Sequence, residues 1–186
     1  MEAIVVGAGH WHAPWHVAAL EHRGVRISGV WDRDPEVAAA RASDWHTSAA
    51  SLDELLDTSP GLAVLSPRAV DAPELAIALI DAGIPTIAEK PLGCHSSDVA
   101  RIAERARDRG SYFGVALVNR LSPVWDVIDK HPGPVRSADF RIVNGTPARY
   151  LADGVGWVID PALGGGGALR NLGFHAADAV LRLAGD

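Results

Sequence analysis

Residues Val5 to His16 read VVGAGHWHAPWH: the end of an apolar run, a Gly-x-Gly, then three histidines and two tryptophans. Two chemistries compete for this stretch. In one, His12 and His16 share a helix face and bind a metal, with zinc the ion that imidazole donors suit best. In the other, Gly7 and Gly9 turn the chain sharply between a strand and a helix. The backbone can then approach a pyrophosphate held at the positive N-terminus of that helix. Gly-x-Gly is a weak signal outside that context, so the rest of the chain has to decide.

The first half of the chain supplies the context. EAIVVGA reads as a strand and PWHVAALEHRG as a helix, with Pro14 near its start and Gly24 past its end. VRISGVWD is a second strand, followed by a helix with Asp34 as N-cap and Pro35 in its first turn. Ser51 and Glu54 form a capping-box pattern ahead of a short helix. The nearly continuous apolar run GLAVLS suits a strand covered on both faces. A helix over 71–83, the strand PTIAE, a helix over 96–109 and the strand YFGVALVN complete the series. Such alternation predicts βαβ units around a parallel sheet. The turn reading therefore prevails; no Asp, Glu or Cys accompanies His12 and His16 locally, Pro14 intervenes, and no metal site is expected.

The fold class is thus α/β: a Rossmann-type doubly wound parallel sheet over residues 1–118. After Asn119 the rhythm changes to a helical SPVWDVIDKH, a long alternating strand PVRSADFRIVNG, a Trp- and Gly-rich loop and a final helix. A domain boundary falls there, with residues 119–186 thin for an independent domain.

Composition narrows the partners. A net charge of −6 and no basic cluster argue against nucleic acid or an anionic membrane surface. Cys94 is the single cysteine, so neither an intrachain disulfide nor a multi-thiolate metal site is available. No apolar stretch approaches the ~20 residues that span a bilayer, and no leader pattern precedes the first strand, so a cytoplasmic location is expected. Of 17 basic residues only Lys90 and Lys130 are lysines. Arginine cannot release its proton where lysine can, which marks Lys90; Lys130, beside His131 and Pro132 at a helix end, carries no such weight.

Asp32 ends the second strand, 20 residues after His12, where a carboxylate binds the ribose hydroxyls of NAD. Arg33 beside it suits the 2′-phosphate of NADP, so the cofactor is NAD or NADP, with NAD favoured. The third glycine of the fingerprint falls on His12, leaving Ala13 to take the small-residue role or the helix to pack less closely. His10 and Trp11 are expected along the cofactor, and His16 as a half-buried helix residue.

Three stretches together carry a resemblance: this Gly-rich turn, AEKPLG at Ala88–Gly93, and GGGGALRNLGFHAAD at Gly164–Asp178. The chain resembles the glucose–fructose oxidoreductase/inositol dehydrogenase (Gfo/Idh/MocA) family of nicotinamide-dependent oxidoreductases over essentially its whole length. The resemblance implies that residues 119–186 are the incomplete start of a C-terminal α/β domain, and that the full-length form is a homo-oligomer. It makes Lys90 the lysine at the nicotinamide and reacting carbon, and His175 the proton acceptor or donor for a substrate hydroxyl. Asn171 stands where the family commonly has Asp; an amide orients or hydrogen-bonds but does not titrate. Ala72 stands where a histidine is often found. Ser66, Pro67 and Glu89 join the cofactor lining.

The implied reaction is hydride transfer between NAD(P) and a small-molecule sugar, cyclitol or related polyol, with Asn119, Arg120 and Trp157 on the substrate side. The last helix agrees: Asn171, His175, Asp178 and Arg182 share one face opposite an apolar stripe of Leu169, Leu172, Ala176, Ala179 or Val180, and Leu183. Two alternatives are an NAD-dependent glycosidase of the same family and a nucleotide-binding or regulatory fragment without turnover. The strand around Val135–Val143 is expected to expose an edge that invites self-association.

Overall fold

The computed structural model describes residues 1–131 and 133–184. Five strands, β1 (Glu2–Val6), β2 (Arg26–Trp31), β3 (Leu62–Leu65), β4 (Thr86–Ala88) and β5 (Phe113–Val115), form one parallel sheet in the order β2-β1-β3-β4-β5. A single parallel bridge from Ala49 to Val30 adds a vestigial strand outside β2. The crossovers are α1 (Ala13–His22), α2 (Pro35–Asp44) with α3 (Leu52–Asp57), α4 (Ala72–Asp81) and α5 (Ser96–Arg109). Local chemistry sets their ends as the sequence predicts. Asp34 accepts from the Glu36 amide, and Ser51 and Glu54 close their capping box.

Side-chain alternation along β1 divides the core in two. Ala3 and Val5 face α1 and α2 with Val17, Val25, Ile27, Val30 and Ala42, whereas Ile4 and Val6 face α4 and α5 with Leu65, Leu75, Leu79, Ile80 and Ile102. Burial on both faces explains why the strands read as continuous apolar runs. Ala13, fully buried in the first cluster, takes the small-residue role at the start of α1. No helix among the described residues is long and apolar enough to cross a membrane.

After β5 come a 3-10 turn at Val118–Leu121, α6 (Val124–Asp129), α7 (Ala148–Ala152), a 3-10 turn at Gly156–Ile159, α8 (Pro161–Gly164) and α9 (Gly167–Ala184). Two expectations are corrected. The strand over PVRSADFRIVNG does not form: 135–143 runs exposed, and no strand lies beside it among the described residues to take up its backbone groups. The strand edge expected to drive self-association is therefore not there. β5 is shorter than predicted because its partner β4 ends at Ala88 and leaves nothing further to pair with. On α9 the polar face is not a solvated one: Asn171 and Asp178 are buried, as is Ala179 of the apolar stripe, while Leu169 is 83% exposed.

Candidate active site

β1 and β3 are neighbours whose connections leave in opposite directions, and the crevice at their carboxyl ends is where open α/β sheets bind ligands. A cleft of about 680 Å³ lies there, of the size that holds a cofactor. Its walls are Gly7, Gly9 and His10 from the turn, Asp32 and Arg33 after β2, Ser66 to Arg68 after β3, and Gly154, Val155 and Trp157 from the far loop.

The turn is built for close approach. Gly7 has φ +88, and a Cβ there would lie 2.5 Å from the Ser66 carbonyl carbon and the Pro67 nitrogen. Ser66 is fully enclosed and its hydroxyl donates to the Gly7 carbonyl at 3.0 Å, so Ser66 braces the turn by its side chain and lines the cleft with its backbone. The Gly9 amide donates to Asp32 Oδ2 at 2.8 Å, and the Asp34 amide to Oδ1 at 3.0 Å. A Cβ at Gly9 would stand 3.2 Å from that carboxylate. Glycine at both positions therefore keeps open the space in which a dinucleotide would lie, with its ribose at Asp32. Gly7→Ala combines a left-handed backbone with a backbone clash and is expected to cost about 3 kcal/mol. Chemical denaturation would show it as a lowered midpoint at unchanged slope.

Arg33 is not free: its guanidinium donates to Asp71 Oδ1 at 3.2 Å, while Arg68 Nε donates to Oδ2 of the same carboxylate at 2.6 Å. His10 is 4% exposed and stacks on Trp11 with ring centroids 3.9 Å apart. Its Nδ1 accepts from the His12 amide, and burial drives its pKa down to about 3 against the opposing charge of Glu89. Trp157, expected on the substrate side, borders the cleft, 5.9 Å from Trp11 and 6.0 Å from His10 between centroids.

At the next crevice, β4 runs straight into Glu89 and Lys90, and the Lys90–Pro91 peptide bond is cis. Lys90 is 6% exposed. Its Nζ donates to Asn171 Oδ1 at 2.9 Å and to the Asn171 carbonyl at 3.1 Å, which clamps α9 against the end of β4. Burial pulls the ammonium pKa below its ordinary value, and the Glu89 charge opposes the shift. His175, one helical turn beyond Asn171, lies on the same face. Its pKa is lowered first by burial, then by the charge of Lys90, against Asp178 and Glu89.

The remaining substrate-side expectations fare differently. Arg120 is engaged: its Nε donates to both Asp178 oxygens at 2.9 and 3.0 Å, fastening the turn after β5 to α9. Asn119 is exposed, and its carbonyl accepts from Trp125 Nε1 at 2.8 Å.

Two features were not read from the sequence. Tyr150 is one: its hydroxyl accepts from Asn171 Nδ2 at 3.0 Å and from Asn144 Nδ2 at 3.2 Å. Among the described residues its own proton has no acceptor, so a donor is left beside the Lys90–Asn171 pair. The only sequence signal is that Tyr150 is one of two tyrosines. The other feature is Glu89, 7% exposed, whose Oε1 meets His16 Nε2 at 2.7 Å and His12 Nδ1 at 3.1 Å. Burial favours its protonated form, but the hydrogen bonds and charges of these imidazoles outweigh that and hold its pKa well below the carboxylate range. The absence of an acid near His12 and His16 is therefore a property of the linear sequence and not of the fold.

Comparison with known proteins agrees with this architecture. Residues 1–117 match the family model described as the Gfo/Idh/MocA oxidoreductase family with NAD-binding Rossmann fold. A putative UDP-kanosamine synthase oxidoreductase subunit of Amycolatopsis mediterranei (strain S699) is 28% identical over all of this chain and 52% of its own length. Among solved structures, GenD2 from gentamicin A biosynthesis, in complex with NAD, has TM-score 0.75 and 22% identity over the whole chain and 54% of its own. The UDP-N-acetylglucosamine 3-dehydrogenase GnnA of Acidithiobacillus ferrooxidans has TM-score 0.77 and 22% identity, over the whole chain and 57% of its own. At such identities the structural likeness speaks for the fold, and the chain spans about half the length of the curated relative it matches. With a glycine turn, a carboxylate after β2 and a matching family model over residues 1–117, the chain belongs to the Gfo/Idh/MocA family of oxidoreductases with an NAD-binding Rossmann fold.

Proposed function

We propose that this chain carries the cofactor cleft and the proton-handling groups of an NAD-dependent dehydrogenase that oxidises a hydroxyl-bearing carbon of a sugar. The preferred form of that sugar is nucleotide-linked; cyclitols and free polyols are the wider class. The observation that carries the reading is the buried Lys90, one of two lysines in the chain, with its ammonium held by both oxygens of Asn171 and His175 one turn away. The nucleotide-sugar preference draws on the names of two relatives, the UDP-kanosamine synthase subunit and the UDP-N-acetylglucosamine dehydrogenase. NAD is preferred to NADP because Asp32 faces the ribose position and Arg33 is paired with Asp71.

The cofactor would be held by Gly7, Gly9, Asp32 and the backbone of Ser66 and Pro67, and when bound it supplies a hydride acceptor. The protein does the rest. His175 takes the proton of the substrate hydroxyl as the C–H bond breaks, because a base is needed there near neutral pH. Lys90 stabilises the negative charge developing on that oxygen, in a pocket where low dielectric strengthens the interaction. Asn171 holds Lys90 in place without titrating, and Tyr150 directs its unused O–H toward the substrate oxygen. Trp157 lines the cleft and Trp11 lies 5.9 Å from it between centroids, so the two rings supply an apolar border.

The test is to supply NAD together with UDP-N-acetylglucosamine, its free sugar or a cyclitol, and to follow NADH absorbance. NADH should accumulate fastest with the nucleotide sugar. Binding of NADH without turnover of any of the three would instead support a nucleotide-binding protein that performs no hydride transfer.

A further inference from the structure

Three guanidiniums line the cofactor cleft, those of Arg33, Arg41 and Arg68. They are the groups a dinucleotide with a 2′-phosphate would seek. Each is held by a carboxylate. Arg41 donates to Asp44 at 3.2 Å. Arg33 and Arg68 share a single acid: Arg33 donates to Asp71 Oδ1 at 3.2 Å, and Arg68 Nε donates to Oδ2 at 2.6 Å. One carboxylate therefore spans two arginines that follow different strands, β2 and β3. We infer that Asp71 decides between NAD and NADP, by holding Arg33 and Arg68 in one ion-pair cluster and keeping both from a 2′-phosphate. This role rests on the dinucleotide reading of the β1–β3 crevice, and adds a determinant on the connection between β3 and α4.

Position supports the assignment. Asp71 and both arginines line the same cleft as Asp32, the carboxylate at the ribose. The pKa of Arg68 is raised, first by its hydrogen bond to Asp71 and, against burial, by the charges of Asp71 and Asp32, so this cation lies within the field of the ribose carboxylate. The place of Asp71 in the chain supports it too. Asp71 is the N-cap of α4, where an aspartate ordinarily accepts from an amide of the first turn. Its carboxylate makes no such bond, and Pro73 removes one of the donors that could offer it. The side chain is given to the two arginines instead.

Charge decides the direction. Asp32 and Asp71 balance Arg33 and Arg68, so these four groups present no net charge, and a 2′-phosphate would set further negative charge beside two carboxylates. Without the Asp71 charge one positive unit remains, and both guanidiniums can turn to phosphate oxygens, which they bind in the paired geometry they use for carboxylates. The two arginines differ in weight. Arg33 is 64% exposed, and an exposed pair is given up at little cost. Arg68 is 26% exposed and its bond is shorter, so it is held more firmly. The Asp71 charge and the Arg68 pair therefore dominate the preference.

The test is titration with NADH and with NADPH, followed by energy transfer from tryptophan, in the unmodified chain and in Asp71→Asn. The readout is the ratio of the two dissociation constants, in which effects common to both dinucleotides cancel. Asp71→Asn keeps the shape and removes the charge. It should move the ratio toward NADPH by at least about tenfold, the lower end of one charge-assisted hydrogen bond gained. Asp71→Ala should move it the same way, and adding Arg68→Gln to Asp71→Asn should reverse most of the shift. Asp153→Asn is the control. It takes the same charge from the same cleft wall, where Asp153 pairs with Arg149 at 3.6 Å, and should leave the ratio unchanged. An unchanged ratio in both folded Asp71 variants, with NADH still bound saturably, would overturn the inference and leave the cofactor reading standing. An equal shift in Asp153→Asn would also overturn it, since the overall charge of the cleft would then set the preference. Failure of the unmodified, folded chain to bind either dinucleotide would overturn both.

Discussion

Replacing Lys90 with methionine is expected to lower kcat for NADH formation by about 10²- to 10³-fold, the effect of removing one preorganised charge from a developing oxyanion. Methionine matches the length and apolar stem of lysine, so the buried channel between β4 and α9 stays filled. What is lost is the ammonium and its two bonds to Asn171. Those two acceptors are then unpaired in a buried place, and stability should fall by about 1–3 kcal/mol. The separation of kcat from KM distinguishes the roles. A charge acting on the reacting oxygen reduces kcat with little change in KM, whereas a lysine that only clamps α9 would alter stability and leave kcat within a few-fold once the variant is folded. Lys90→Arg is informative for the same reason. Arginine keeps the charge, but its planar group is larger and does not fit the place of a point charge between two oxygens of one residue.

For His175→Asn, kcat is expected to fall by about 10²- to 10⁴-fold, the usual contribution of a positioned general base. The pH profile gives the stronger evidence. Burial and the Lys90 charge lower the His175 pKa, so its neutral form persists to lower pH than that of a free imidazole. In the unmodified protein, alcohol oxidation should therefore decline on the acid side only through a midpoint below the ordinary histidine value. On the alkaline side, burial lowers the Lys90 pKa, so the rate should fall again, as the ammonium loses its proton, through a midpoint below the ordinary lysine value. His175→Asn removes the acid limb and leaves the alkaline one; Lys90→Met does the converse. An acid limb that survives in His175→Asn would assign the base to another group.

How much of this was legible in the sequence depended on the range of the interactions. The α/β sheet was readable because each strand is covered on both faces and each crossover helix carries its own caps, such as Asp34 and the Ser51–Glu54 box. The glycine turn was readable because strand, glycines and helix are contiguous. Beyond Asn119 local pattern misled. Alternation in PVRSADFRIVNG describes a surface able to pair, and pairing needs a neighbour that no residue in the stretch can supply. On α9 the sequence shows which polar residues share a face but not what they meet: Asn171 and Asp178 are buried because Lys90 and Arg120 reach them from distant elements. The same holds for Glu89, 73 residues from His16 in the chain and 2.7 Å from it in space. Tyr150 is a further case, since its role rests on an amide 21 positions away.

The most direct measurement of the central claim, that the crevice between β1 and β3 is a dinucleotide site, is titration with NADH followed by energy transfer from tryptophan. Trp11, Trp31 and Trp157 lie at or beside the cleft and report on it from three sides. Saturable sensitised emission from the nicotinamide is expected, with tighter binding of NADH than of NADPH. In Asp32→Asn the affinity should be weaker by about 10- to 100-fold, as expected for loss of one charge-assisted hydrogen bond worth about 1.5–3 kcal/mol. A folded chain that shows no saturable NADH signal, or one whose affinity is untouched by Asp32→Asn, would contradict that claim.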